Sequence, residues 1–161
     1  MNHEEIEYII RDYIPQIIHM SLATVKDNKP WVCEVHFSYD DELNLYFGSS
    51  SKTRHAQEIL GNSHVAGNIV TQHHKDQKVR CVDFEGIATP LSSEEAEKTA
   101  YRAYVKRYGE SEGLLNEIRK DGEFQFFKIA VDTFYVFDSY GEKRGKHTLP
   151  WQSKETEEAK R

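Results

Sequence analysis

Leu43-Asn44-Leu45-Tyr46-Phe47-Gly48-Ser49-Ser50-Ser51-Lys52-Thr53-Arg54-His55-Ala56-Gln57-Glu58-Ile59-Leu60-Gly61 reads as a strand, a polar turn and the start of a helix. Leu43, Leu45 and Phe47 fall on one face of an extended segment, the period-two spacing of a strand. The helix is expected over Thr53 to Leu60 and ends at Gly61-Asn62, two residues that tolerate the left-handed conformation of a C-terminal cap. From Ser49 to His55 the chain sets four hydroxyls, an ammonium, a guanidinium and an imidazole where the first N–H groups of a helix lack internal acceptors. Such a corner suits an anion the size of a phosphate. Taken alone, the segment reads more simply as a solvated helix start, although two cations at the positive end of a helix dipole are better placed with an anion between them.

Working outward, Trp31, Cys33, Val35, Phe37 and Tyr39 alternate with Val32, Glu34, His36 and Ser38, which predicts a second strand with one core face and one mostly polar face. Upstream, Ile17 to Val25 is a first strand, and Lys26 to Pro30 supplies the turn between the two. Ile6, Ile9, Ile10 and Tyr13 recur at helical spacing, and Pro15 stops that helix near Tyr13. Downstream, a fourth strand covers His64 to Gln72, and the long run Val79 to Leu91 is a strand with a bulge expected at Gly86. Ser92 and Glu95 fit a capping box that opens a helix reaching Gly109, and Ser111 to Lys120 is a weaker helical piece. Phe124 to Ile129 and Thr133 to Phe137 read as two closing strands. Six or seven strands, mostly in hairpins with a few helices between them, define a mainly β, α+β chain built on a small antiparallel barrel.

The 161 residues form a single expected domain, 1–151, followed by a charged tail at 152–161. A formal charge of -6 argues against a nucleic-acid or anionic-membrane surface, and no apolar run approaches a membrane span, so the expected location is cytoplasmic. Cys33 and Cys81 lie in separate strands without metal-ligand spacing, and buried reduced thiols are expected. His73-His74 is expected in a solvated loop, and no metal site is expected anywhere. Neither a Rossmann glycine fingerprint nor a P-loop is present, and no catalytic constellation is readable. The catalytic residues are therefore unassigned.

Ser21-Leu22-Ala23-Thr24-Val25, Lys29-Pro30-Trp31-Val32, Val35-His36-Phe37-Ser38-Tyr39-Asp40, Leu45-Tyr46-Phe47-Gly48-Ser49, Lys52-Thr53-Arg54-His55-Ala56 and Asn62-Ser63-His64-Val65 occur in that order. Together they resemble the FMN-binding split-barrel family related to pyridoxamine 5'-phosphate oxidase, in its small uncharacterised bacterial branch. The resemblance covers Ile17 to Tyr108. It implies a split β-barrel with FMN as cofactor, the phosphate held by Ser49, Lys52, Thr53, Arg54 and His55. It places Glu34, Val35, His36, Phe47 and Gly48 along the flavin ring and Gln72 in contact with it. Where the family commonly has lysine, this chain has His55. A homodimer with a small-molecule substrate is implied, and the crowded aromatics Phe124, Phe126, Phe127, Phe134, Tyr135 and Phe137 fit a shared surface. The leading expectation is an FMN-dependent oxidoreductase. The alternatives are a non-catalytic flavin-binding or storage protein, and a split barrel that takes haem or a deazaflavin. The segment Phe137 to Trp151 carries Lys143, Arg144, Lys146 and His147 but lacks the arginine-rich motif of true pyridoxamine 5'-phosphate oxidases, so that activity is not expected. A partly ordered tail is the plainer expectation for this segment, with Trp151 as an apolar lid the alternative.

Overall fold

The computed structural model describes residues 1–120 and 122–151. Helix α1, His3–Tyr13, starts at a capping box between Asn2 and Glu5 and buries Ile6, Ile9, Ile10 and Tyr13. Pro15 ends it in the 3-10 turn Ile14–Gln16, as its missing N–H requires. Strands β1 (His19–Lys26) and β2 (Lys29–His36) form a hairpin whose turn residues, Asp27 and Asn28, both adopt positive φ, the pattern that matches strand twist. After β3 (Ser38–Tyr39) and β4 (Leu45–Ser50) come helix α2 (Arg54–Gly61), β5 (His64–Ile69) and β6 (Arg80–Pro90). Helices α3 (Ser93–Lys98), α4 (Ala100–Tyr108) and α5 (Glu112–Arg119) precede β7 (Phe124–Asp138) and β8 (Gly145–Pro150).

Among the described residues the sheet has eight strands in the order β2-β1-β5-β6-β7-β4-β3, with β8 on β7, and every pairing is antiparallel. Its two ends, β2 and β3, are separated in the chain by Phe37 alone. The sheet thus curls until its edges are the two halves of one bent strand, which disposes of the unpaired edges that an open sheet exposes. β7 is the longest strand: along one side it pairs with β6, and along the other its first half pairs with β4 and its second with β8. That division splits the barrel. The bulge falls between Glu85 and Gly86, where a Cβ on Gly86 would lie 2.3 Å from the Ala130 carbonyl oxygen.

Two apolar clusters fill the molecule. The larger lies inside the barrel and under α1, and includes Ile10, Met20, Leu22, Leu45, Phe47, Phe84, Phe127 and Phe134. The smaller joins Tyr46 and Phe126, on the outer side of β4 and β7, to Ala96, Ala100, Ala103 and Ile118 of the helical layer.

Several expectations are corrected here. The second strand breaks at Phe37, and only Val35 and Phe37 of its apolar face are fully buried; Trp31, at its outer end, lies beyond the core and is 38% exposed. The helix expected from Ser92 to Gly109 does start at its capping box, but it is interrupted at Thr99. The two late strands are one, because Ala130 and Val131 continue the ladder to β6. Gly61 closes α2 and Asn62 is extended, so neither provides a left-handed cap. The basic segment before Trp151 is strand β8, and Trp151 packs on the barrel core while its Nε1–H donates to the Glu42 carbonyl at 2.9 Å. Of the crowded aromatics, Phe124, Phe126, Phe127 and Phe134 pack into this chain's own clusters, whereas the Tyr135 hydroxyl donates to Glu85 at 3.0 Å and Phe137 is exposed. The tail expected at 152–161 lies outside the described residues.

Candidate functional site

The end of β4 and the start of α2 converge where the sequence places its polar corner. The turn between them closes when the Thr53 N–H donates to the Ser50 carbonyl at 3.1 Å. Ser49 Oγ then lies 2.8 Å from His55 Nε2 and 3.0 Å from Thr53 Oγ1, and Thr53 Oγ1 lies 3.1 Å from His55 Nε2. Thr53 occupies the N-cap position of α2, yet its hydroxyl donates back to the Ser50 carbonyl at 2.9 Å and makes no cap hydrogen bond. The helix start is thus left without its usual side-chain acceptor. His55 is buried against Phe47, and that burial lowers its pKa from the ordinary imidazole value.

Arg54 stands beside this cluster. Its guanidinium carbon lies 4.3 Å from the centre of the Trp31 ring, and its Nε donates to Glu58 Oε1 at 2.7 Å. Glu58 is 4% exposed and also accepts a 2.6 Å hydrogen bond from Thr24, a fully buried residue of β1. Those two donors, Thr24 first and Arg54 second, hold the Glu58 carboxyl below its ordinary pKa. Lys52 points away from the cluster, its exposed ammonium paired with Glu123 ahead of β7.

The remaining sequence-derived positions are dispersed. Glu34 is on the outer face of β2 and accepts from the Ser21 hydroxyl across the hairpin. Val35 is buried in the barrel core, and Phe47 is stacked on Phe127 at 5.0 Å between ring centres. His36 is exposed and meets His19 edge-on, with ring centres 4.3 Å apart; partial burial lowers its pKa first, and His19 and Arg107 add to that. Gly48 has no room for a side chain, since a Cβ would come within 2.3 Å of Phe124 Cζ. Gln72 is exposed and lies past the end of β5. The structure therefore gathers Ser49, Thr53, Arg54 and His55, and it adds Thr24, Trp31 and Glu58. Of these three, Glu58 was legible as the residue four positions after Arg54 on one helix face, whereas Thr24 and Trp31 arrive from the β1–β2 hairpin without any local signal.

An antiparallel barrel closed through one bent strand and divided along β7 defines a split β-barrel. Residues 6–138 match the family described as pyridoxamine 5'-phosphate oxidase, and the chain belongs to that family. It is similar to a UPF0306 protein of Pasteurella multocida, strain Pm70, with 24% identity over 148 residues covering 91% of this chain and 94% of the relative. A UPF0306 protein of Photorhabdus laumondii is 27% identical over 109 residues, 67% of this chain and 76% of its own. Among solved structures, Campylobacter jejuni ChuZ superposes with a TM-score of 0.73 at 17% identity, covering 93% of this chain and 61% of that one. A heme binding protein from Mycobacterium smegmatis gives a TM-score of 0.67 at 16% identity over 85% of this chain and 55% of its own. This chain spans less than two thirds of the length of those two structures. Among the described residues, no helix is long and apolar enough to cross a membrane.

Proposed function

We propose that this protein binds FMN and acts as an oxidoreductase on a small molecule. The observation that carries this reading is the arrangement of Arg54, stacked on Trp31 and held by Glu58 through Nε, beside the uncapped start of α2 and the Ser49–Thr53–His55 cluster. These residues fit a phosphate monoester. The Ser49 and Thr53 hydroxyls, the first-turn N–H groups of α2 and the η nitrogens of Arg54 are the donors a phosphate needs, and an anion there complements the helix dipole. Lys52 is available to the same anion, because an exposed ion pair such as that with Glu123 is weak. A bound phosphate would also draw a proton onto His55, against the effect of its burial.

Along the ring, Glu34, His36 and Gly48 are the positions assigned to direct contact, while Val35 and Phe47 are core residues that hold the wall in place. Gln72 is assigned from the loop after β5. Bound FMN supplies electron and hydride transfer; the chain binds it, orients it and sets its hydrogen bonds. A second copy is assigned to the outer barrel face, where Val32, 60% exposed, lies in register with Ala23 and the exposed Ala66 across β2, β1 and β5. A dimer mass by light scattering at micromolar concentration supports that assignment, and a monomer refutes it.

The direct test is the visible spectrum of the purified protein, followed by titration with FMN and riboflavin. FMN is expected to bind far more tightly, and equal affinities would defeat the phosphate assignment. A haem spectrum would replace flavin with the alternative cofactor. Anaerobic reduction of bound FMN by NADH or NADPH separates an enzyme from a storage protein. Aerobic incubation with pyridoxamine 5'-phosphate is expected to yield no pyridoxal 5'-phosphate, since the basic segment lacks the oxidase motif.

A further inference from the structure

Gly48, assigned to direct contact with the flavin ring, is covered by a neighbouring side chain. A Cβ built on it would lie 2.3 Å from Phe124 Cζ and 3.1 Å from both Cε atoms, so the tip of that ring points at the glycine backbone. The Phe124 ring also meets Phe126 edge-on, with centres 5.4 Å apart and planes at 88°. The cavity that His36, Phe47 and Gly48 line measures about 190 Å³. That falls short of the roughly 300 Å³ at which ligand pockets begin. With Phe124 where it stands, the flavin-ring site is only partly open.

Phe124 has somewhere to go. It also walls a second cavity, of about 350 Å³, between α3, α5 and the start of β7. Leu91, Ala96, Ile118 and Phe126 give that cavity an apolar side, and Ala96 and Ile118 belong to the cluster on which Phe124 already packs. A half-buried ring between two cavities exchanges one apolar contact for another with little change in the surface it exposes. The backbone there is tied on one side only. Phe124 is the first residue of β7 and pairs with Ser50 of β4, whereas the ladder to β6 ends at the Pro90–Phe127 pair. Rotation of the side chain between staggered wells therefore moves the ring without breaking the sheet.

We propose that Phe124 is the movable wall of the flavin-ring site: closed, its ring lies over Gly48, and open, it rests against Ala96 and Ile118 and leaves Gly48 free for the ligand. The proposal rests on the FMN reading for its ligand, whereas the two ring positions are properties of the chain alone. Phe124 then decides which flat molecules reach Gly48, because each must displace the closed ring, and association is slowed by the fraction of closed molecules. The phosphate corner is not part of this device. Ser49, the next residue of β4, faces the other way and meets Thr53 and His55.

The test is NMR on the full chain with labelled phenylalanine rings and labelled alanine and isoleucine methyls, the Phe124 signals being assigned by their loss in Phe124→Leu. Without flavin, a nuclear Overhauser contact is expected from the Phe124 ring to the Gly48 α protons. Saturating FMN should replace it with contacts to the Ala96 and Ile118 methyls. Gly48→Ala should do the same with no flavin present, because its methyl takes the ring's place and only the tip of a side chain has to yield. Phe124→Leu, which shortens the wall, should speed the association of FMN and of riboflavin by the same factor, roughly twofold to tenfold, the weight of one aromatic contact. A ring that stays on residue 48 in Gly48→Ala, failure of that variant to fold, or flavin association unchanged in Phe124→Leu would overturn the proposal. FMN bound with the ring still on Gly48 would overturn it as well, and would leave the FMN reading standing. If neither flavin binds, the FMN reading falls, and the contacts in Gly48→Ala decide by themselves whether the ring has two positions.

Discussion

Arg54 and Arg107 present the same chemical group at the same distance from an aromatic ring, 4.3 Å over Trp31 and 4.3 Å over Phe37, yet their surroundings give them different work. Arg54 sits on the rim of the barrel, with a half-exposed side chain and one nitrogen on a carboxylate. Arg107 is inserted between α4 and the bend of the β2–β3 strand, where it donates to carbonyls of Phe37, Ile14 and Ile17 and, among the described residues, meets no carboxylate. Those carbonyls lie where β2 breaks and where the 3-10 turn leads into β1, at backbone that the regular ladder does not pair. One guanidinium thus ties together three carbonyls at the bend, and the other retains donors for something outside the chain. The contrast shows that an arginine's role follows from which of its nitrogens the fold already uses, since stacking is common to both.

The largest expected effect comes from removing the inner arginine. Arg107→Ala leaves the Ile17 carbonyl without its donor, while Phe37 keeps the Tyr108 hydroxyl and Ile14 keeps the Ile17 N–H, and should cost about 2–3 kcal/mol in urea unfolding, whereas Arg107→Lys should recover only part, because one ammonium cannot span the same acceptors. If the alanine variant were as stable as the parent, the contrast with Arg54 would collapse. Arg54→Ala should weaken FMN by roughly tenfold to a hundredfold with riboflavin affinity unchanged, and its loss of stability should be smaller than that of Arg107→Ala. A variant that loses both flavins equally would place Arg54 in the structural class with Arg107.

Thr24→Val sharpens the comparison by removing a donor to Glu58 without touching Arg54. Glu58 has a lowered pKa in the folded state, so its contribution is present above the ordinary carboxyl value and is lost as pH falls through the lowered one. The valine variant should be less stable at neutral pH and should lose less on acidification, as followed by thermal unfolding between pH 7 and pH 3. The smallest effect concerns His55. Burial lowers its folded pKa, so the unfolded chain takes up the proton first, and stability declines as pH drops below the ordinary imidazole value of about 6.5. His55→Gln should flatten that part of the stability profile. An unchanged slope between pH 7 and pH 5.5 would show that His55 takes up its proton equally in the folded and unfolded states.

Much of the architecture was legible because it is written in short-range patterns. Pro15, the Ser92–Glu95 capping box, the bulge at Gly86 and the strand–turn–helix at Ser49 each depend on a few neighbouring residues, and each is found where those residues place it. The misreadings share a different cause. Ala130 and Val131 read as a break between strands until β6 supplies their partners, and the polar segment after Phe137 becomes β8 because β7 offers an open edge. Trp31 obeys the alternation of its strand, yet it lies past the core and under Arg54. Periodicity identifies which side a residue faces and leaves open what awaits it there.

By itself the sequence determined a barrel of antiparallel strands, the helix-start corner at Ser49–His55 and the mixed donor chemistry of that corner, because all three rest on residues within a turn or two of one another. The tertiary structure alone decided which groups in that corner are already engaged. Glu58 and Trp31 orient Arg54, Glu123 draws Lys52 outward, and the helical layer folds over β3 and β4 to enclose Ser38. Such pairings join residues separated by tens of positions, and their geometry follows from the closure of the sheet at Phe37 and the covering of its outer face, to which no local stretch of sequence is sensitive.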